Sequence, residues 1–222
     1  MKTKTRSVEQ IIEEQVRRWQ IMRKEEKKED ERISVVTFSR EHGSGGDILA
    51  ERLAKKLGYE LFHQEVLHNM AESARVSVQF LETLDEKGVS VLDEWISSLV
   101  DRRHLWPDRY LQHLMKIIGT IGKHGQAIII GRGSNFVLPP GKRLSIRVIA
   151  PMEERIRNVS KELGITVEEA KQRVIKTESD RKAFIKKYFN ADIADIFNYD
   201  LIINTENLSI DDAVNIINGA LN

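Results

Sequence analysis

"ISVVTFSREHGSGGDILAERLAKKLG", residues 33–58, passes from an apolar, β-branched run through a glycine-rich turn into a segment whose apolar residues recur at helical spacing. Such a turn lets successive backbone N–H groups converge on one point, and the start of the helix adds partial positive charge there. That geometry suits phosphate. Outward from this segment the chain alternates short β-rich runs with helical stretches. Strands are expected at 33–38, 59–62, 127–130, 144–149 and 201–203. Short apolar runs separated by helices argue for a parallel sheet covered on both faces, an α/β fold. Helix punctuation agrees: Gly58 closes the first helix, Pro151 suits a first turn, "TVEE" from Thr166 is a capping box and "SIDD" from Ser209 a variant of one. Residues 64–123 have helical periodicity and no good strand, so they read as a helical insertion between the second and third strands.

The chain has 222 residues, 41% of them hydrophobic, enough for one α/β domain plus an extension. Thirty-five Lys and Arg against 34 Asp and Glu leave a net charge of +1, so no global field attracts nucleic acid or an anionic membrane, and an anion site must be local. With no cysteine there are neither disulfides nor thiolate metal sites. The start "MKTKTRSVEQ" lacks the apolar core of a signal peptide, and no apolar run approaches the ~20 residues of a membrane span, which leads to the expectation of a cytoplasmic protein. Residues 1–32 read as a charged helical extension. Val8, Ile12, Val16, Trp19 and Met22 draw one apolar stripe, and "RKEEKKEDER" follows it. That stripe is expected to pack on its own domain or on a second copy, as a homodimer.

In the phosphate-binding pattern G-x-x-x-x-G-K-[ST], backbone N–H groups cradle the phosphates, the lysine reaches the terminal ones and the hydroxyl holds Mg²⁺. Laid over this chain, Arg40 falls at the first glycine, Gly45 at the second, Gly46 at the lysine and Asp47 at the Ser/Thr. The cradle is kept and its cation is not. Further cations stand downstream: Arg132 just past the third strand, Arg155 and Arg157 at the start of the helix after the fourth, and Arg181, Lys182, Lys186 and Lys187 in "ESDRKAFIKKYF". Each alone also fits a solvated surface charge. Together, at one edge of one sheet, they suit phosphoryl transfer, in which charge spreads over the equatorial oxygens.

"SREHGSGG", the "GR" of Gly131 and Arg132, "EER" ending at Arg155, "DRK" from Asp180 and "YDLIINTENLS" from Tyr199 resemble, from about Ile33 onward, the cytidylate kinase-like branch of the nucleoside monophosphate kinases. The resemblance implies a P-loop kinase, a three-layer α/β/α fold around a five-stranded parallel sheet in the order 2-3-1-4-5, with the insertion at 64–123 binding the acceptor nucleotide and a mobile lid at about 155–190. It also implies ATP with Mg²⁺ as donor and CMP or dCMP as acceptor. Ser39, Gly43, Ser44, Gly45, Gly46, Asp47 and Ile48 would hold the donor phosphates, Arg132 the acceptor phosphate, and Arg155, Arg157 and Arg181 the transferring group. The departures are Gly46 for the usual Lys, Ile48 for a Thr, Gly133 for the Asp of "GRD", and the acidic Asp47 where a basic residue is common.

A missing cation on the transferring phosphoryl costs roughly 10³–10⁵ in rate. Arg40, Arg132 and the lid arginine are the available substitutes, and Asp47, with Glu41 beside it, is the nearest oxygen ligand for Mg²⁺. His42 reads as loop structure rather than as a base. His63 and His68, five apart, do not share a helical face as a metal pair would. "DRRHLWPDRY", residues 101–110, has the composition of a nucleotide contact and equally of a charged helix junction. A protein of another class, one that binds or regulates with the cradle but without the lysine, fits the same residues.

Overall fold

The computed structural model describes residues 7–23 and 33–221; the charged run at 24–32 lies outside them. Five strands, β1 (Val35–Arg40), β2 (Glu60–Phe62), β3 (Ala127–Ile130), β4 (Leu144–Ile149) and β5 (Leu201–Asn204), form one parallel sheet in the order β2-β3-β1-β4-β5. This is the order the family resemblance implied. The strand residues are mostly β-branched, and successive ones face opposite layers. Val36, Phe38, Ile128, Ile130, Ile146 and Val148 pack with α2 (Gly46–Leu57) and α10 (Ile210–Ala220). Val35, Ala127 and Ile129 face the other way, toward α3 (Gln64–Ala71), α6 (Arg109–His124) and α9 (Val167–Phe189). Each large apolar side chain buried there contributes about 1.5–3 kcal/mol.

Two strand boundaries near the glycine turn differ from the sequence reading. β1 starts and ends two residues later than expected because β4 keeps pairing with it: Ser39 lies opposite Arg147 and Arg40 opposite Val148, and Glu41 N–H donates to the Val148 carbonyl at 2.9 Å. Ser39 and Arg40 are therefore strand residues, and the turn is only residues 41–45. β2 begins one residue late, and β5 runs one residue longer. Pro151, expected inside a first turn, is the extended N-cap of α8 (Met152–Leu163). Thr166 and Glu169 make the reciprocal capping box of α9, and Ser209 caps α10.

Between β2 and β3 the chain forms α3, α4 (Ala74–Leu81), α5 (Glu86–Arg103) and α6. Upstream of the sheet, α1 (Val8–Arg23) lies on α3 and α4. Trp19 stacks on His124 with ring centroids 4.1 Å apart and meets Phe80 edge-on at 5.1 Å. Ile12 and Trp19 are buried against the chain's own helices, so this part of the apolar stripe is not presented to a second copy. No described helix is long and apolar enough to cross a membrane.

Candidate functional site

β1 lies between β3 and β4, where the chain order reverses, so the loops after these strands share one crevice at the carboxyl edge of the sheet. The turn at 41–45 reaches α2 through two left-handed glycines, Gly43 (φ 83°) and Gly45 (φ 76°). A Cβ at Gly43 would overlap the Arg155 carbonyl, so the loop sits directly on the first turn of α8. Ser44 is buried, its hydroxyl donating to the Glu41 carbonyl at 2.8 Å; Thr205 and Asn158 donate to the carbonyls of Ser44 and Gly43. Those bonds hold the carbonyls of residues 43 and 44 in place. Among the described residues the N–H groups of Gly43, Gly45, Gly46 and Asp47 meet no acceptor. Four open donors at a helix start form an anion nest.

The absence of a side chain at Gly46 has a cause in the fold. A Cβ there would lie 2.6 Å from Arg40 Cβ and 3.2 Å from Val148 Cβ. Arg40 fills that place. Its stem crosses Gly46, its Nε donates to both Asp47 oxygens at 3.1 and 3.2 Å, and its Nη1 reaches Gln64 Oε1 at 3.3 Å. Arg40 is buried, while Asp47 is 47% exposed at the first turn of α2, a position the helix dipole favours for a carboxylate.

Beyond β3, Gly131, Arg132 and Gly133 all have positive φ (76°, 53° and 69°) before the short helix α7 (Ser134–Val137). Arg132 is not a glycine, so this conformation is strained. It aims the guanidinium over the Phe184 ring at 4.9 Å, with Nε donating to the Gln64 carbonyl at 3.4 Å. A Cβ at Gly133 would overlap the Phe189 ring, which explains why this chain has glycine where "GRD" has an acid. From α9, Arg181 Nη1 donates to the Arg40 carbonyl at 2.8 Å. Burial first, then the neighbouring Arg40, pushes the Arg181 guanidinium down to about 10, so it stays charged at neutral pH. Its Nε is buried without a partner.

Arg40, Arg132 and Arg181 thus line one cavity of about 290 Å³, together with Ser39, Phe184 and Tyr199. The other expected residues are placed differently. Arg155 is buried beneath the loop, with Nε 3.0 Å from the Ala150 carbonyl and 3.4 Å from Glu41. Arg157 is 67% exposed on α8 and pairs with Glu154, so it does not join the cavity. The Ile48 side chain is exposed and leaves only its backbone to the loop. Glu41, considered for Mg²⁺, turns inward, accepting from Ala150 N–H at 3.2 Å and facing Arg147 and Arg155.

Several residues here escaped the sequence reading. Arg147 is buried on β4, its Nη1 donating to Ser39 Oγ at 2.8 Å; the signal for it was a charge inside the apolar run "LSIRVI". Tyr199 donates to the Ile193 carbonyl at 2.7 Å while packing under Arg147, and burial raises its phenol. Gln64 holds both Arg40 and Arg132, and Glu178 of α9 accepts from His42 N–H at 2.6 Å; neither residue carries a local signal. Burial, then Arg181, pushes the His42 imidazole below its ordinary value. The helix junction 101–110 reaches α9 instead, with Arg103 donating to the Phe189 carbonyl and Tyr188 to Asp108.

Mg²⁺ takes most of its ligands from phosphate and water and needs one or two protein carboxylates. Asp47 fits as one such ligand at the mouth of the nest; among the described residues no cluster of three metal-ligating side chains exists. The open nest and the unpartnered Arg181 Nε fit a polyphosphate.

The sequence pattern of the cytidylate kinase-like family matches residues 35–207. The chain is 26% identical over 197 residues to a cytidylate kinase of Methanopyrus kandleri, covering 84% of this chain and 92% of that one. It is 29% identical over 189 residues to the cytidylate kinase of Pyrococcus horikoshii, covering 84% and 88%. A crystal structure of an uncharacterized protein from Eubacterium ventriosum superposes with a TM-score of 0.66 at 21% identity, over 85% of this chain and 98% of that one, and so shares the fold.

Proposed function

The chain belongs to the cytidylate kinase-like family, whose members are phosphotransferases of the nucleoside monophosphate kinase type, and from that premise we propose that it transfers a phosphoryl group from ATP to CMP or dCMP. The observation carrying this reading is the convergence of Arg40, Arg132 and Arg181 on one cavity beside the open N–H groups of residues 43–47. Bound Mg-ATP supplies the transferable phosphoryl group and a metal that screens its oxygens. The backbone N–H groups of Gly43, Gly45, Gly46, Asp47 and Ile48 would orient the donor phosphates and Asp47 would offer the metal one oxygen, while Ser39, expected among these residues, is paired in β1 and the Ser44 N–H is taken by the Glu41 carbonyl.

Arg40 takes the lysine's part. Its guanidinium reaches the cavity from the strand end instead of from the helix, across the glycine that has replaced the lysine. Arg132, fixed in its strained turn, holds the acceptor phosphate, and Arg181 meets the charge that develops between donor and acceptor. Arg155 acts on the loop from below. An acceptor phosphate is already a nucleophile, so His42 need not act as a base.

The test is labelled ATP incubated with CMP, dCMP, UMP, AMP and GMP, with Mg²⁺ or Mn²⁺. Transfer to CMP or dCMP above the other acceptors supports the reading, and no transfer to any of them overturns it.

A further inference from the structure

We propose that Glu178 is an internal competitor for the donor phosphates, a carboxylate on α9 that occupies one end of the phosphate cradle until a polyphosphate displaces it. This rests on the reading of residues 41–47 as that cradle.

Three donors surround one oxygen. Glu178 Oε1 accepts from His42 N–H at 2.6 Å and lies 3.8 Å from both Arg155 Nη1 and Arg181 Nη1. Arg155 Nη1 has no hydrogen-bond partner, nor has Arg181 Nε. A backbone N–H of a glycine-rich loop and two buried guanidinium groups around an anionic oxygen are the surroundings of a bound phosphate oxygen. Glu178 comes from 136 residues further along the chain, so its position is set by how α9 docks and not by the loop. The cradle therefore has an occupant at its His42 end, while the N–H groups of Gly43, Gly45 and Gly46 stay open.

Electrostatics makes the two occupants exclusive. A phosphate on the nest would bring its charge next to the carboxylate while competing for the same N–H and arginines, and like charges a few ångströms apart in a partly buried site repel. Donor binding then requires Glu178 to swing out. Because Glu178 Oε1 lies 3.8 Å from Arg181 Nη1, that motion also takes the carboxylate away from Arg181, and occupancy of the cradle is coupled to the charge facing Arg181 in the cavity. Where only about a tenth of the free molecules have the carboxylate out, the apparent donor affinity is about tenfold weaker than that of the open cradle.

The probes are ATP and inorganic tripolyphosphate, which has no base and tests the cradle alone. Calorimetry on the full chain should show both binding about tenfold more tightly to Glu178→Gln, and at least as tightly to Glu178→Ala. A glutamate that only braced the loop would move affinity the other way, because its loss would leave the His42 N–H and the glycine turn after it less fixed for the phosphate. As a measurement on the unaltered protein, the His42 amide resonance should move when tripolyphosphate saturates, as its short bond to the carboxylate is exchanged for one to phosphate. Equal or weaker binding by the variants, or an unmoved His42 amide at saturation, overturns the proposal and leaves the cradle reading intact. Failure of tripolyphosphate to bind wild type and variants alike overturns both.

Discussion

Gly46 and Gly133 are both departures from the family pattern, and both are glycine because another side chain fills the space. At Gly46 the occupant is the stem of Arg40; at Gly133 it is the Phe189 ring. The second pair has a measurable coupling. Gly133→Ala places a methyl group into a buried ring on a backbone at φ 69°, so αL strain and overpacking together should cost about 2–4 kcal/mol in chemical denaturation. In a Phe189→Ala background the overlap is gone and only the αL cost remains, so the double variant should be more stable than the sum of the single changes allows. Additive losses would mean that the ring does not dictate the glycine. Neither occupant could be read from the sequence, since Arg40 and Gly46 are joined by a fold in the loop and Phe189 lies more than fifty residues from Gly133.

Elements were more legible than contacts. The sheet, its order and the capping of α2, α9 and α10 follow from local periodicity, turn glycines and the family motifs, all of which the chain states within a few residues. The end of β1 was misplaced because its last two residues are strand only through pairing with β4, a partner more than a hundred residues away. The docking of α1 was likewise left open, since an apolar stripe says that a partner exists without saying which. Its anchor predicts a pH dependence. Burial against Trp19 pushes the His124 imidazole down to about 4 from an ordinary 6.5, so the folded state refuses a proton that the unfolded state accepts. Stability is fully present above pH 6.5 and falls as pH drops toward 4, by up to ~1.4 kcal/mol per unit and about 3 kcal/mol in all. His124→Phe, which keeps the stack, should flatten that limb of the stability curve between pH 6.5 and 4; an unchanged slope would place the acid sensitivity elsewhere.

At the scale of the whole molecule, the site exists because three distant segments, the end of β1, the turn after β3 and the middle of α9, bring Arg40, Arg132 and Arg181 to one cavity. The motif reading named these three arginines together with Arg155 and Arg157; helical position alone does not say which face of α8 turns to the loop, and Arg155 lies beneath it while Arg157 pairs with Glu154. If the cation of the phosphate loop has moved from the helix to the strand, exchanging the two positions should move it back. Gly46→Lys alone should fail to raise activity and should destabilise, since its Cβ would lie 2.6 Å from Arg40 Cβ. The most direct measurement is kcat for phosphoryl transfer from ATP to the best monophosphate acceptor, compared for wild type, Arg40→Ala and the double exchange Arg40→Gly with Gly46→Lys, each checked for thermal unfolding. A cation carried by Arg40 means a fall of ~10²–10³ for Arg40→Ala, as for loss of a preorganised donor, with much of that loss recovered in the double exchange. Transfer by folded Arg40→Ala at the wild-type rate would contradict it.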